Sequence, residues 1–270
     1  CVELAENQPS SGTRPELSVV APCFNDSQLA REFVETVCNL LDGKVDYELV
    51  LVDDGSADDT WDVLHGLAKV NPRLRALSLS RNFGQQIAVS AGIDEARGDF
   101  VLVMDSDLQN PPDEILNLYR KALEGYDIVY AVDGTRNSAI NEFTSGLFWL
   151  LMRLLVGPDI VTKQLMMRIM SRPFAKNFCR YTERSRSIFG ITNDIGMKRS
   201  VLSVTNLRRH GGRSNYNFCK RMGLFLDILL GATTAPLDWT IMVGAVTCLG
   251  AAGLGTFHFL NYWRGGITEG

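Results

Sequence analysis

Asp105 and Asp107 are separated by one residue, and Gln109 follows two positions later. Two carboxylates at i and i+2 can both reach one bound cation if the chain turns between them. Mg2+ and Mn2+ prefer hard oxygen ligands, and substrate phosphates commonly complete their shell. A cation held this way neutralises a diphosphate as it leaves a carbon centre. Gln109 adds a neutral oxygen. Similar clusters end two other apolar runs: Pro22-Cys23-Phe24-Asn25-Asp26 and Asp53-Asp54-Gly55-Ser56. Each alone could be a turn or a helix cap. Three at the ends of strands should converge on one cleft.

The elements that must position these clusters are legible as patterns. Short apolar runs over 17–22, 47–53, 74–79, 100–104 and 128–132 read as strands. Helical spacing fills the intervals over 29–41, 58–70, 85–96 and 112–123, with Asp58 or Asp59 as a possible cap of the second. Continuous apolar strands alternating with helices imply an α/β domain whose mostly parallel sheet is covered on both faces. In such sheets ligands bind beyond the carboxyl ends of the strands, where the polar clusters fall. Residues 1–16 read as a loose tail, and 17–215 as the catalytic domain. Past Val132 the β/α rhythm fades: 143–156 reads as an apolar helix, and 160–215 is mixed and rich in Arg.

Composition narrows the function classes. The net charge is −4, so no global basic footprint for nucleic acid exists. Six cysteines without a C-x-x-C pair read as reduced, packed thiols, and three histidines are too few for a His-rich metal site. No G-x-G-x-x-G follows the first strand, which disfavours a soluble dehydrogenase. From Trp239 to Leu260 there is no Asp, Glu, Lys or Arg. About 22 helical residues extend roughly 33 Å, close to a bilayer core. Trp239, Tyr262 and Trp263 stand where interfacial aromatics would, so 236–264 is read as a transmembrane helix. Before it, Phe218, Met222, Phe225, Leu226 and Leu229 share one face of an amphipathic segment, and 216–235 is read as an interface helix and linker. The chain starts without Met or a signal-type pattern, and reads as a trimmed piece.

Four stretches carry a resemblance: Val20-Ala21-Pro22-Cys23-Phe24-Asn25-Asp26; Val52-Asp53-Asp54-Gly55-Ser56; Ser80-Arg81-Asn82-Phe83-Gly84-Gln85; and Met104-Asp105-Ser106-Asp107-Leu108-Gln109-Asn110-Pro111-Pro112. Together they resemble family 2 glycosyltransferases of the GT-A fold, a Rossmann-like architecture. The nearer likeness is to the polyprenyl-phosphate branch, which includes dolichol-phosphate mannose synthases, bactoprenol glucosyltransferases and undecaprenyl-phosphate 4-deoxy-4-formamido-L-arabinose transferases. Arg209-His210-Gly211-Gly212-Arg213-Ser214-Asn215-Tyr216 is similar to that branch's R-x-x-G-x-S-K-Y.

The resemblance implies an inverting, metal-dependent transferase that moves a sugar from a nucleotide-sugar, with UDP as the guess, to a polyprenyl phosphate for cell-envelope glycan or lipid modification. It implies that Pro22, Phe24, Asn25, Asp26, Asp53, Asp54 and Asp105 hold the nucleotide-sugar. Asp105, Asp107 and Gln109 would bind Mg2+ or Mn2+, and Asp105, Asp107 and Arg209 would be catalytic. Arg136, Arg168, Arg209, Ser214 and Tyr216 would face the acceptor phosphate. The implied partners are donor, lipid acceptor and membrane, with self-association left open. Lys and Arg cluster before the span and only Arg264 follows it, which favours an inner membrane protein with its catalytic domain in the cytoplasm.

Departures from the branch fall on the acceptor side. Asp133 stands where related enzymes carry Arg, Asn141 or Glu142 replaces a basic residue, and Asn215 replaces Lys. Val161-Thr162-Lys163 precedes Gln164-Leu165-Met166-Met167-Arg168 where the family has Gly-Asp before this arginine, and one span is present where relatives tend to have two. The alternative reading is a degenerate relative that binds a nucleotide-sugar, or scaffolds a membrane complex, without efficient transfer.

Overall fold

A computed structural model of the 270-residue chain describes residues 2–6, 14–134, 161, 164–182, 186–204 and 235–264. Among these residues, eight strands form one sheet: β1 (Val2–Glu6), β2 (Leu17–Cys23), β3 (Tyr47–Asp53), β4 (Leu74–Leu79), β5 (Phe100–Val103), β6 (Ile128–Asp133), β7 (Gln164–Ser171) and β8 (Arg199–Val204). Their order is β1-β4-β3-β2-β5-β7-β6-β8. Strands β4, β3, β2 and β5 pair in parallel, as do β6 and β8, while β1 and β7 run antiparallel to their neighbours. Every residue of β2 and of β3 is buried, as continuous apolar runs require when both faces of a sheet are covered.

Helices α1 (Ser27–Leu41), α2 (Thr60–Val70) and α4 (Glu114–Leu123) cover one face, through a core that includes Phe33, Val37, Leu64, Ile115 and Leu118. Helix α3 (Gln85–Glu95), with α5 (Arg172–Cys179) and α6 (Ile188–Asp194), covers the other, packing Val89, Ile93, Phe174, Phe178 and Ile191 against Val20, Val50 and Val52. The α/β class, the parallel core of the sheet and both helical layers follow the sequence reading. The antiparallel β7 wedges between β5 and β6, so the carboxyl ends of β2 and β5 sit side by side at the point where the strand order reverses.

One expectation is corrected. The stretch read as a loose tail contains β1, which pairs with β4 from Val2↔Leu79 to Glu6↔Arg75 and finishes that edge of the sheet with backbone hydrogen bonds. The final helix, α7 (Ala235–Trp263), includes 25 residues, Trp239–Trp263, long and apolar enough to cross a membrane. None of that stretch is buried against the rest of the protein, unlike a core helix of equal hydropathy. The helices expected over 143–156 and 217–230 lie outside the described residues.

Candidate active site

Four strand ends meet at a cleft of about 300 Å3. β2 contributes Pro22, Cys23 and Phe24, and the turn after β3 contributes Asp54. The loop after β4 supplies Asn82 and Gly84, with Gln85 at the start of α3, and the loop after β5 supplies Asp105, Ser106 and Asp107. Backbone bonds tie the ends together: Asp54 N donates to Cys23 O at 2.9 Å, and Met104 N to Val20 O at 3.1 Å. Ser106 Oγ donates to Pro22 O at 2.8 Å, which fixes the acidic loop to the neighbouring strand.

The two adjacent aspartates of the second cluster stitch the scaffold. Asp53 is 1% exposed and accepts from Ser56 N at 3.1 Å and Ser78 Oγ at 3.0 Å. Asp54 is 3% exposed, and its two oxygens accept from Phe83 N at 2.8 Å and Gly84 N at 2.9 Å. A carboxylate that takes two backbone N–H groups fixes the loop that bears them. Gly55 makes this approach possible. Its φ is +67°, and a Cβ there would lie 2.3 Å from the carbonyl carbon of Arg81.

The first cluster is likewise braced. Asn25, at φ +50°, donates from its backbone to Ser56 Oγ at 2.9 Å and accepts from Ala57 N at 2.8 Å. Asp26 N donates to Thr60 Oγ1 at 2.9 Å. The Asp26 carboxyl is raised by burial, with the charges of Asp58 and Asp107 adding to the rise and the backbone N–H of Leu29 opposing it.

Asp105 is held from two sides. Gln85 donates to one oxygen, and Asn110 Nδ2 approaches the other at 3.5 Å. Burial pushes its carboxyl up to about 6; the charge of Asp107 adds to this, while Gln85, Asn110 and the charge of Arg168 pull it down. Asp107 accepts from Gln109 N at 3.1 Å, and Leu108 between them has φ +56°. A left-handed leucine costs about 1 kcal/mol or more, and packing of its side chain against the core offsets that cost. Cys23 forms part of the floor; burial pushes its thiol up to about 12, so it is an inert wall and not a nucleophile.

Of the expected donor-side residues, Pro22, Phe24, Asp54, Asp105 and Asp107 reach one cleft, with Asn25 and Asp26 beside it on the loop after β2. Asp53 lies behind the cleft with its carboxylate already engaged. Gln109 is half-buried on the same turn. Arg168 is not where an acceptor-phosphate ligand must be. It is 0% exposed, on the central β7, and its donors go to Leu165 O, Met166 O and Thr192 Oγ1. Asp133 ends β6, half-buried. Arg136, Arg209, Ser214 and Tyr216 lie outside the described residues. Sequence reasoning assigned no role to Gln85, Asn82 or Asn110, although the polar run after the 74–79 strand was the same kind of signal as the other three.

No Lys or Arg is among the described residues that line the cleft, and no three His, Cys, Asp or Glu side chains there form a ready-made cation site. Among the described lining residues, the charged groups a diphosphate would meet are the carboxylates of Asp54, Asp105 and Asp107. Hard oxygen donors with an incomplete shell fit a divalent cation completed by phosphate oxygens.

Residues 18–185, more than half of the chain, match the family described as Glycosyl transferase family 2. The chain belongs to this family. The undecaprenyl-phosphate 4-deoxy-4-formamido-L-arabinose transferase of Shewanella sediminis is 35% identical over 232 residues, covering 84% of this chain and 70% of that protein. The uncharacterized glycosyltransferase YkcC of Bacillus subtilis is 31% identical, covering 85% and 72%. Among solved structures, glucosyl-3-phosphoglycerate synthase from Mycobacterium tuberculosis in complex with Mn2+, UDP and phosphoglyceric acid superposes with a TM-score of 0.56 at 19% identity, over 80% of this chain and 77% of that one. A mannosyltransferase from Pyrobaculum calidifontis in complex with GDP-Man and Mn2+ gives 0.52 at 17% identity, over 93% and 81%. These two likenesses are of fold.

Two outcomes follow from the geometry. Gly55→Ala drives a Cβ into the Arg81 backbone and breaks the grip of Asp54 on the loop; stability should fall by about 2 kcal/mol or more. Unchanged thermal unfolding would contradict the clamp. Because the Asp105 carboxyl is raised in the fold, its contribution to stability is present below the ordinary carboxylate range and is lost as pH rises through about 6. In cation-free protein, Asp105→Asn should therefore gain on wild type between about pH 4 and pH 7; a constant difference across that range would show that burial of Asp105 carries no such cost.

Proposed function

We propose that this transferase moves a sugar from a UDP-sugar to a polyprenyl phosphate, such as undecaprenyl phosphate, with inversion at the anomeric carbon. The observation that carries the donor half is the convergence of Asp105 and Asp107 on a cleft at the strand-order reversal with no basic side chain among its described lining residues. The acceptor half is supported by the name of the Shewanella relative and by one exposed apolar helix that can bring the domain to a lipid surface.

Phe24, 46% exposed at the rim, offers an aromatic face to a base, and the loop clamped by Asp54 bounds the cleft beside it. Asp105, Asp107 and Gln109 would hold Mg2+ or Mn2+, which when bound neutralises charge on a departing diphosphate. A prenyl phosphate is already anionic near neutral pH, so the protein must orient it more than deprotonate it. Arg136, Arg209, Ser214 and Tyr216 are the proposed acceptor-side groups; a guanidinium grips phosphate in a two-point fork. Burial of Arg168 removes one expected cation from that side and favours, as second reading, a protein that binds donor without efficient transfer.

The purified chain in detergent, given a panel of UDP-sugars and undecaprenyl phosphate, should form lipid-linked sugar. Chelation should abolish the product, Mn2+ or Mg2+ should restore it, and Asp107→Ala should lower turnover at least about a hundredfold. Donor binding with no product from any sugar supports the second reading, and full activity in chelator removes the metal from the account. Orientation is a separate expectation. The excess of Lys and Arg before the span favours a cytoplasmic domain, so protease added outside intact cells should leave it whole. Cleavage there would reverse the topology.

A further inference from the structure

Among the described residues Arg168 is the largest fully buried side chain, and nothing in the transfer reaction described above uses it. Its surroundings are unusual for a cation. β7 pairs with β6 at Tyr130↔Arg168, but Val132 pairs with Gln164, so the register slips by two residues across Leu165, Met166 and Met167. Arg168 Nε donates to Met166 O at 3.1 Å, one terminal nitrogen to Leu165 O at 2.9 Å, and the other to Thr192 Oγ1 at 3.2 Å. The guanidinium therefore folds back along its own strand over the irregular stretch. Its carbon lies 4.5 Å from the ring centre of Phe189 and 5.5 Å from that of Tyr130, so aromatic faces supply part of the electrostatic compensation.

The direction of that fold matters. β5 and β7 are antiparallel with Val103↔Arg168 in register. Residues before 168 on β7 thus run beside residues after 103 on β5. The guanidinium points toward the end of the sheet where Asp105 enters the cleft. No carboxylate among the described residues makes an ion pair with Arg168. Asp105 stands two residues beyond the Val103 that pairs with Arg168, at the end of the sheet toward which the guanidinium folds; after Tyr130, its charge opposes the lowering effect of burial on the guanidinium.

We infer that Arg168 is a positioning residue: anchored on the bulge of β7, its buried charge holds the Asp105 carboxylate at the floor of the cleft, ready for a cation-bound diphosphate. The inference rests on the proposed donor site. Burying a lone charge is costly, so each of these two groups makes the other tolerable, and neither needs to touch the other to do so. A cation–UDP pair is net negative, and a fixed positive charge beneath it favours its entry. Phosphate itself is not contacted: the guanidinium is fully buried and is not among the residues that line the cleft, and each of its three nitrogens already donates to the bulge or to Thr192.

A double-mutant cycle tests the coupling without nucleotide or cation. Unfolding is measured for wild type, Asp105→Asn, Arg168→Met and the double variant, at a pH above about 7 where Asp105 is ionised. Asp105→Asn should be less favourable to stability in wild type than in the Arg168→Met background; equal effects in the two backgrounds would overturn the inference. In the holo assay, Arg168→Met should weaken Mn2+-dependent UDP binding about tenfold or more, and Arg168→Lys should recover most of it. If Arg168→Met does not fold, the lysine variant decides alone. It keeps the charge and loses the fork to the bulge, so its melting temperature should fall while Mn2+-dependent UDP binding persists; loss of both in parallel would make Arg168 purely a filler of the bulge. Wild type that binds no UDP with Mn2+ would sink the donor-site reading, and the cycle would still decide the coupling.

Discussion

Asp54 accepts two backbone N–H groups from the loop after β4, and most of the cleft depends on that grip. Strand ends in a parallel sheet leave loops that must be held by something other than the ladder. Here carboxylates and hydroxyls do the holding. Asp54 fixes the loop after β4 to the end of β3, Ser106 fixes the loop after β5 to β2, and Asn25 fixes the loop after β2 to the loop after β3. Gly55 permits the close approach because any side chain there would meet the Arg81 backbone. With these ties in place Gln85 stands over Asp105, and the acidic turn faces the rim of Phe24.

The consequence is an imbalance of charge. Burial raises the carboxyls of both Asp26 and Asp105, and the charge of Asp107 adds to the rise of each. A protein tolerates such crowding where a ligand relieves it. A divalent cation with a diphosphate would do so from the solvent side, and the buried guanidinium of Arg168 would do so from within, on the opposite side of the same carboxylate.

Much of this was legible beforehand, and the failures have physical reasons. β2 to β6 and the four helices between them are periodic, because both faces of the sheet are covered and apolar runs have no alternative place. β1 and β8 are edge strands with weak patterns; β8 alternates between exposed and half-buried positions for most of its length. β7 hides because Arg168 interrupts an apolar run, and a charge in sequence gives no sign that bulge carbonyls and Thr192 will satisfy it. The acidic pair Asp53 and Asp54 is legible in the sequence, but the bonds it makes within the protein are not. The same carboxylates can grip a nucleotide or a loop, and only the positions of Ser56, Ser78, Phe83 and Gly84 show which bonds are already made.

The central claim is that the carboxylates at the reversal of strand order hold a nucleotide diphosphate through a divalent cation. Anomalous scattering from crystals grown with UDP and Mn2+ tests it most directly. The account predicts a manganese peak between the Asp107 carboxylate and the diphosphate, with the base against Phe24. Ordered UDP in this cleft with no cation beside Asp107, or a cation and nucleotide bound together elsewhere on the protein, would contradict it.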